Sequence, residues 1–184
     1  MHITKTTIDN QVIITISPIA DPRGDVVQIY EKEAFFKINI NENFNQDFIT
    51  NSLGEKTLRG LHFQTEPHLQ SKLVRCQRGS VLDITVDLRK RSPTYLQVCS
   101  VNLKEDDWTW LYIPPGVAHG FITLANNTQV NYKISGKYSP KHATGINWRD
   151  PTFNIDWKVN PLNVVLSEKD KNLPNFEHSR MYFP

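Results

Sequence analysis

The sequence predicts an all-β fold, an antiparallel sandwich or jelly-roll barrel, and three observations lead there. Short runs rich in β-branched and aromatic residues recur along the chain, at 12–16, 26–30, 35–40, 48–50, 72–78, 80–88, 96–102, 108–113, 120–124 and 129–135. Turn signals divide them: Asp21-Pro22-Arg23-Gly24, Arg78-Gly79, Arg91-Ser92-Pro93, Pro114-Pro115-Gly116 and Asn126-Asn127. Helix-compatible stretches are few and short. Closely spaced strands separated by Gly, Pro and Asn turns are the pattern of sandwiches and barrels.

Taken in order, 12–16 is an unbroken run of Val, Ile and Thr, and 26–30 follows the first Pro-Gly turn. Residues 35–40 carry Phe, Ile and a second Ile at alternating positions and read as a further strand. The run 58–64, Leu58-Arg59-Gly60-Leu61-His62-Phe63-Gln64, is apolar and β-prone around one histidine. Segments 72–78 and 80–88 form a hairpin about Arg78-Gly79, and 108–113 and 120–124 flank the Pro-Pro-Gly turn. Two short stretches, 31–35 and 167–172, suit helix, and the second opens with Ser167 as an N-cap. There is no internal repeat, low-complexity tract or linker. A chain of 184 residues supports one full core, so 1–184 reads as a single domain. Its last ten residues, 175–184, lose periodicity and read as a tail or as an arm that packs on a neighbour.

Composition excludes several roles. A net charge of +2 is too small to argue for nucleic acid or an anionic membrane. No apolar run approaches the roughly 18 residues that span a bilayer, and the N-terminus lacks the basic and apolar regions of a signal peptide. A cytoplasmic location is the expectation. Cys76 and Cys99 lie in separate strand-like runs and read as two buried thiols rather than a disulfide framework or C-x-x-C metal motif.

Two histidines in apolar, glycine-containing strands, His62 and His119, point to proton chemistry inside a barrel, because imidazole is the side chain suited to moving protons near neutral pH. By strand alternation His62 shares a face with Gly60 and Gln64, and Arg59 points the other way unless the strand is bulged. Gly60 is expected to leave room for a ligand. His119 follows the rigid Pro-Pro-Gly turn, which would fix its ring at a cavity mouth. Lys72 opens a strand, and Asp83 and Asp87 share one face of 80–88 among apolar neighbours, where a charge must pair or line a wet cavity. Tyr132 and Tyr138 bracket a strand end and suit a proton donor and a stacking plate. Asp170 is either an exposed charge at a helix start or the partner of His62, and spacing leaves both open. An H-x-H cluster with a following carboxylate is absent, and His2, His68, His142 and His178 lie in loop-like or terminal surroundings, so no metal is expected. Glycine-rich phosphate loops and nucleophile elbows are absent too, which leaves Arg23, Arg59 and Lys169 to hold any phosphate by charge-assisted hydrogen bonds.

In their order and spacing these motifs resemble the cupin-fold epimerases of nucleotide-linked 4-keto-6-deoxy sugars, the dTDP-4-dehydrorhamnose 3,5-epimerase family. The likeness runs from Asp21-Pro22-Arg23-Gly24 through 58–64, Gln70-Ser71-Lys72-Leu73-Val74, 79–89, Ser92-Pro93-Thr94, 113–121, 132–138 and 145–157 to 166–170, nearly the whole chain. It implies a cupin-type jelly-roll barrel with a few short helices, mainly near the C-terminus. It also implies that His62 is the general base with Asp170 as its partner, Lys72 the enolate stabiliser, and Tyr132 the acid on the opposite face. Arg23, Gln28, Arg59, His119 and Lys169 match substrate-binding positions, and Tyr138 matches the residue that stacks on the nucleotide base. No cofactor is implied. The partners implied are a nucleotide-sugar substrate and a second copy, in a homodimer with exchanged N-terminal segments.

The chain departs from the family at Gln28 and Ala143, where a glutamate is usual, and in 48–56, which lacks the usual Gln-x-Asn pattern. These positions lie in the binding group and leave open dTDP against CDP and one carbon against two. The leading reading is a dTDP-4-keto-6-deoxy-D-glucose 3,5-epimerase. The alternatives are a single-site C5 or C3 epimerase of a CDP- or dTDP-linked 4-keto-deoxysugar, and a cupin that binds a sugar nucleotide without turnover.

Overall fold

The computed structural model describes residues 1–177 together with Tyr182 and Phe183; His178 and part of the 175–184 segment lie outside the described residues. In chain order the elements are β1 (His2–Lys5), β2 (Val12–Thr15), β3 (Ile19–Asp21), β4 (Gly24–Val26), α1 (Lys32–Phe36), β5 (Phe44–Ser52), β6 (Leu58–Gln64) and β7 (Lys72–Arg78). They continue with β8 (Ser80–Asp87), β9 (Val98–Lys104), β10 (Thr109–Ile113), β11 (Val117–Thr123), β12 (Thr128–Ser135), β13 (Ala143–Gly145) and the one-turn α2 (Glu168–Lys171). The strands form two antiparallel sheets, ordered β1-β2-β10-β7-β12-β5 and β13-β6-β11-β8-β9, and a separate β3–β4 hairpin. This is the jelly-roll barrel that the strand pattern predicts, and its helices are short.

Strand β8 shows why the sequence closes this way. Leu82, Ile84, Val86 and Leu88 sit in one apolar cluster with Leu58, Leu61, Trp148 and Trp157, while Val81 on the opposite face joins Val74, Leu111, Phe121 and Val130 in a second. Both faces of the strand are buried, the Leu82 face by apolar side chains throughout and the Val81 face with Asp83, Thr85 and Asp87 turned into the interior. Cys76 and Cys99 are free thiols buried in the second cluster.

Residues 35–40 are a correction: the chain forms α1 and a following turn there, not a strand. Phe35 N and Lys37 N donate to Glu31 O and Glu33 O, and Ile40 N returns to Phe35 O past Asn39, which has a left-handed φ of 64°. That local closure buries Phe35 and Ile40 against Trp110 and leaves Phe36 exposed, a pattern alternation does not anticipate. In 26–30 only Val26 is in a strand, and Ile29 O is taken by Trp110 Nε1 at 2.6 Å. The short strands β1, β3 and β13 have no clear signal in the sequence. At the C-terminus Phe176, Tyr182 and Phe183 are buried, and Phe63 meets Tyr182 and Phe183 edge-on.

The bulge at Gly60 shapes the site. His62 pairs with His119 across β6 and β11, but Arg59 pairs with Phe121, so two residues between them, Gly60 and Leu61, oppose the single Gly120. That extra residue turns Arg59 onto the face of His62. Gly60 does not leave room for a ligand, contrary to expectation: a Cβ there, at φ +127°, would lie 2.5 Å from Gly120 Cα and 2.8 Å from His119 O. Its missing side chain lets two backbones approach. Gly60→Ala is therefore expected to destabilise the fold by about 3 kcal/mol, roughly 6–12 °C in Tm for a chain of this size. A thermal melt checks this, and an unchanged Tm would refute the close-approach account.

Candidate active site

A cavity of about 390 Å³ opens between the two sheets, and seven of the side chains singled out from the sequence line it: Arg59, His62, Lys72, His119, Tyr132, Lys169 and Asp170. β6 supplies His62 and, through the bulge, Arg59, whose Nε and Nη2 donate to Ser52 Oγ at 3.4 Å and Asn51 O at 3.2 Å. β12 supplies Tyr132 from the other sheet, directly opposite Phe48 of β5. Phe48, Phe121 and Ile134 add an apolar wall. Sequence reading did not identify that wall, and its only signal is the apolar replacement within 48–56.

Asp170 is buried, which decides between its two readings. Ser167 caps α2, its hydroxyl accepting from Asp170 N at 3.1 Å, and the short helix aims the carboxylate at His62, whose Nε2 lies 2.5 Å from Asp170 Oδ1. Burial alone would raise this carboxyl, but the hydrogen bond and charge of His62 and the backbone N–H of Gly60 outweigh it and hold the group below its ordinary value. A carboxylate on one ring nitrogen fixes the tautomer and the orientation of the imidazole.

Lys72 Nζ donates to His62 O at 3.4 Å. Burial lowers its ammonium to about 8, against the charge of Asp83. The phenol of Tyr132 is pushed well above the ordinary tyrosine range by burial and by Asp83, so it is protonated across the working pH range. Its ring meets His119 edge-on at 6.0 Å and Phe121 at 6.3 Å.

His119 lies deep in the barrel rather than at the cavity mouth, because β11 runs inward from the Pro-Pro-Gly turn and position 119 faces the interior. Its Nε2 is 2.8 Å from Asp83 Oδ2. Burial lowers this histidine despite the carboxylate. Asp87 is held separately, by Arg89, Ser92 and Thr94.

Three residues named from the resemblance are not in this cavity. Arg23 is 85% exposed at the β3–β4 turn and pairs with Asp21, and Gln28 is exposed in the segment that follows. Tyr138 is 54% exposed in the loop beyond β12. Gln64, which shares β6 with His62, clamps that loop: its amide donates to His68 O and Lys137 O and accepts from Ser139 N. This positioning role was missed by sequence reading. Among the described residues no three His, Cys, Asp or Glu side chains cluster as a metal ion would require. Nor is any described helix long and apolar enough to cross a membrane.

The chain and its barrel have close counterparts among known proteins. A protein from Sinorhizobium fredii named dTDP-4-dehydrorhamnose 3,5-epimerase is 38% identical over 95% of this chain and 89% of its own length. The crystal structure of dTDP-4-dehydrorhamnose 3,5-epimerase from Elizabethkingia anophelis superimposes with a TM-score of 0.93 at 34% identity, covering 99% of each chain. That of the Bacillus anthracis enzyme, with TDP and PPi bound, gives 0.92 at 35% identity over 95% of this chain and 99% of that one. The family profile described as dTDP-4-dehydrorhamnose 3,5-epimerase matches residues 5–178, and with whole-length likeness in both sequence and fold this chain belongs to that family.

Proposed function

We propose that this protein epimerises dTDP-4-keto-6-deoxy-D-glucose at C3 and C5 through an enolate, with His62 as base and Tyr132 as acid. The observation that carries the reading is a carboxylate-backed imidazole on one wall of the cavity and a protonated phenol from the opposite sheet. A proton beside a ketone is acidic only because the charge left behind spreads onto oxygen. In this reading His62 removes that proton, Asp170 stabilises the imidazolium that forms, and the Lys72 ammonium meets the developing oxyanion at C4. Tyr132 then returns a proton from the other face, and that change of face is what turns exchange into inversion. Arg59 and Lys169 take the diphosphate, and His119 contacts the sugar. The chemistry needs no cofactor, and we place it in the cytosol.

A homodimer completes the site in this reading. The β3–β4 hairpin stands outside both main sheets with every residue exposed, including the facing pair Ile19 and Val26. An isolated two-stranded hairpin is marginal in water. Seated on a second copy, it would carry Arg23 and Gln28 to the partner's cavity, near the nucleotide that Tyr138 stacks against. The nucleotide assignment draws on the Bacillus anthracis relative, which was solved with TDP bound.

Incubation with dTDP-4-keto-6-deoxyglucose in deuterated water tests the proposal, with incorporated deuterons counted by mass spectrometry and located by NMR. Deuterium at both C3 and C5 is expected. Incorporation at one carbon would replace the reading by a single-site epimerase, and none would overturn it for this substrate.

A further inference from the structure

We infer that Asp83 is a positioning residue of this site, a buried counter-charge that keeps Lys72 an ammonium and sets the tautomer of His119. The inference rests on the epimerase reading above for its purpose, and on the barrel interior for its argument. Asp83 lies on β8, on the face that looks into the barrel, in register with Phe121 of β11 and Val101 of β9. It is 1% exposed. Its Oδ2 receives His119 Nε2 at 2.8 Å, while Oδ1 is buried with no hydrogen-bond partner among the described residues. An apolar side chain would suit that position better for folding alone, since a buried carboxylate with one oxygen unsatisfied is costly. The cost is explained if the charge serves a neighbour.

The groups that surround it identify the neighbour. From β7 comes Lys72, from β11 His119 and from β12 Tyr132, each within reach of the Asp83 charge, and these three line the cavity together with His62, Arg59 and Asp170. Asp170 is engaged by His62, and Arg59 is directed to the end of β5. His119 is driven toward its neutral form by burial. Lys72 is thus the cation left to balance Asp83. Each works on the other: burial lowers Lys72 and Asp83 opposes it, whereas burial, the largest effect, holds Asp83 above its ordinary value and His119 and Lys72 pull it back down. Without the Asp83 charge, burial would act on Lys72 with nothing opposing it, and the amine would reach the keto oxygen uncharged. The same carboxylate accepts a hydrogen bond from His119 Nε2–H, so the neutral ring keeps its lone pair on Nδ1 and meets substrate as a hydrogen-bond acceptor.

The test uses the full-length protein labelled with ¹³C in aspartate and lysine, with Lys72 and Asp83 signals assigned by Lys72→Met and Asp83→Asn. In the wild type the Asp83 carboxyl carbon is expected at its ionised position at pH 7, and the Lys72 side chain to titrate near 8. An Asp83 signal at the protonated position would overturn the inference without any variant having to fold. In Asp83→Asn the Lys72 midpoint is expected to fall by about one pH unit or more, a tenfold change or greater in its protonation equilibrium. The alkaline limb of the deuterium-exchange rate should move by the same amount, so that the rate deficit at pH 7.5 shrinks at pH 6.5. Asp83→Glu, which keeps the charge, should leave the limb near its wild-type position. A pH-independent loss in Asp83→Asn, with the Lys72 midpoint unmoved, would make Asp83 merely structural. Because the NMR titration needs no turnover, failure of the epimerase reading and failure of this inference give different results.

Discussion

Replacing His62 with alanine is expected to abolish deuterium incorporation at both C3 and C5, lowering kcat on the order of 10³-fold or more, while dTDP still binds within a few-fold of wild type. A positioned general base contributes about 10²–10⁴-fold by itself. In the proposed mechanism the same base serves both inversions, so both products are expected to disappear together. Affinity should hold because Arg59 and Lys169, the cations assigned to the diphosphate, do not bond to His62. Exchange kinetics in deuterated water and calorimetry with dTDP, run on the same preparation, check the two halves. Loss of affinity alone, with exchange intact, would support a binding module and sink His62 as the base. The variant also removes the partner of Asp170. That carboxyl is held below its ordinary value in the folded protein, so its contribution to stability is present above the unfolded carboxylate pKa and is lost as pH falls through the folded one. At catalytic pH the contribution is fully present, and His62→Ala should therefore lower Tm at pH 7 more than at pH 3.

Tyr132→Phe is expected to separate two events that the wild type joins. His62 and Lys72 remain, so the α-proton is still removed and the enolate still stabilised. The proton then returns from the face it left, and deuterium enters with retained configuration. Inversion should fall about 10²–10⁴-fold while exchange falls far less. The loss should be flat between pH 6 and 9, because burial keeps the Tyr132 phenol protonated well beyond that range. Phenylalanine keeps the ring contacts with His119 and Phe121, so the fold should survive. Product stereochemistry by NMR, set against deuteron counts, gives the ratio directly. Equal loss of exchange and inversion would remove Tyr132 from the role of acid.

Much of the barrel can be read from local pattern. β7, β8, β10 and β12 fall within a residue or two of the runs that predict them, because β-branched density and Gly or Pro turns are properties of neighbouring residues. The failures are local too. Residues 35–40 have strand-like alternation, yet backbone closure through Asn39 and the anchoring of Phe35 beside Trp110 make them a helix and a turn. The chemistry of the site was half legible. Imidazole, phenol and ammonium in strand runs announce proton transfer, but nothing local says which of them meet.

The sequence by itself determined an antiparallel barrel, the side chains available for proton transfer, and the family to which their spacing points. Tertiary structure alone decided how those side chains face one another. The bulge at Gly60 turns Arg59 to the side of His62, against simple alternation. α2 brings Asp170 across 108 positions of chain to within 2.5 Å of His62. Register between β8 and β11 carries His119 away from the mouth and down onto Asp83. The physical reason is the same in each case: strand period and turn chemistry act between neighbours, whereas register, bulges and buried charge pairs are settled by contacts between segments far apart in the chain.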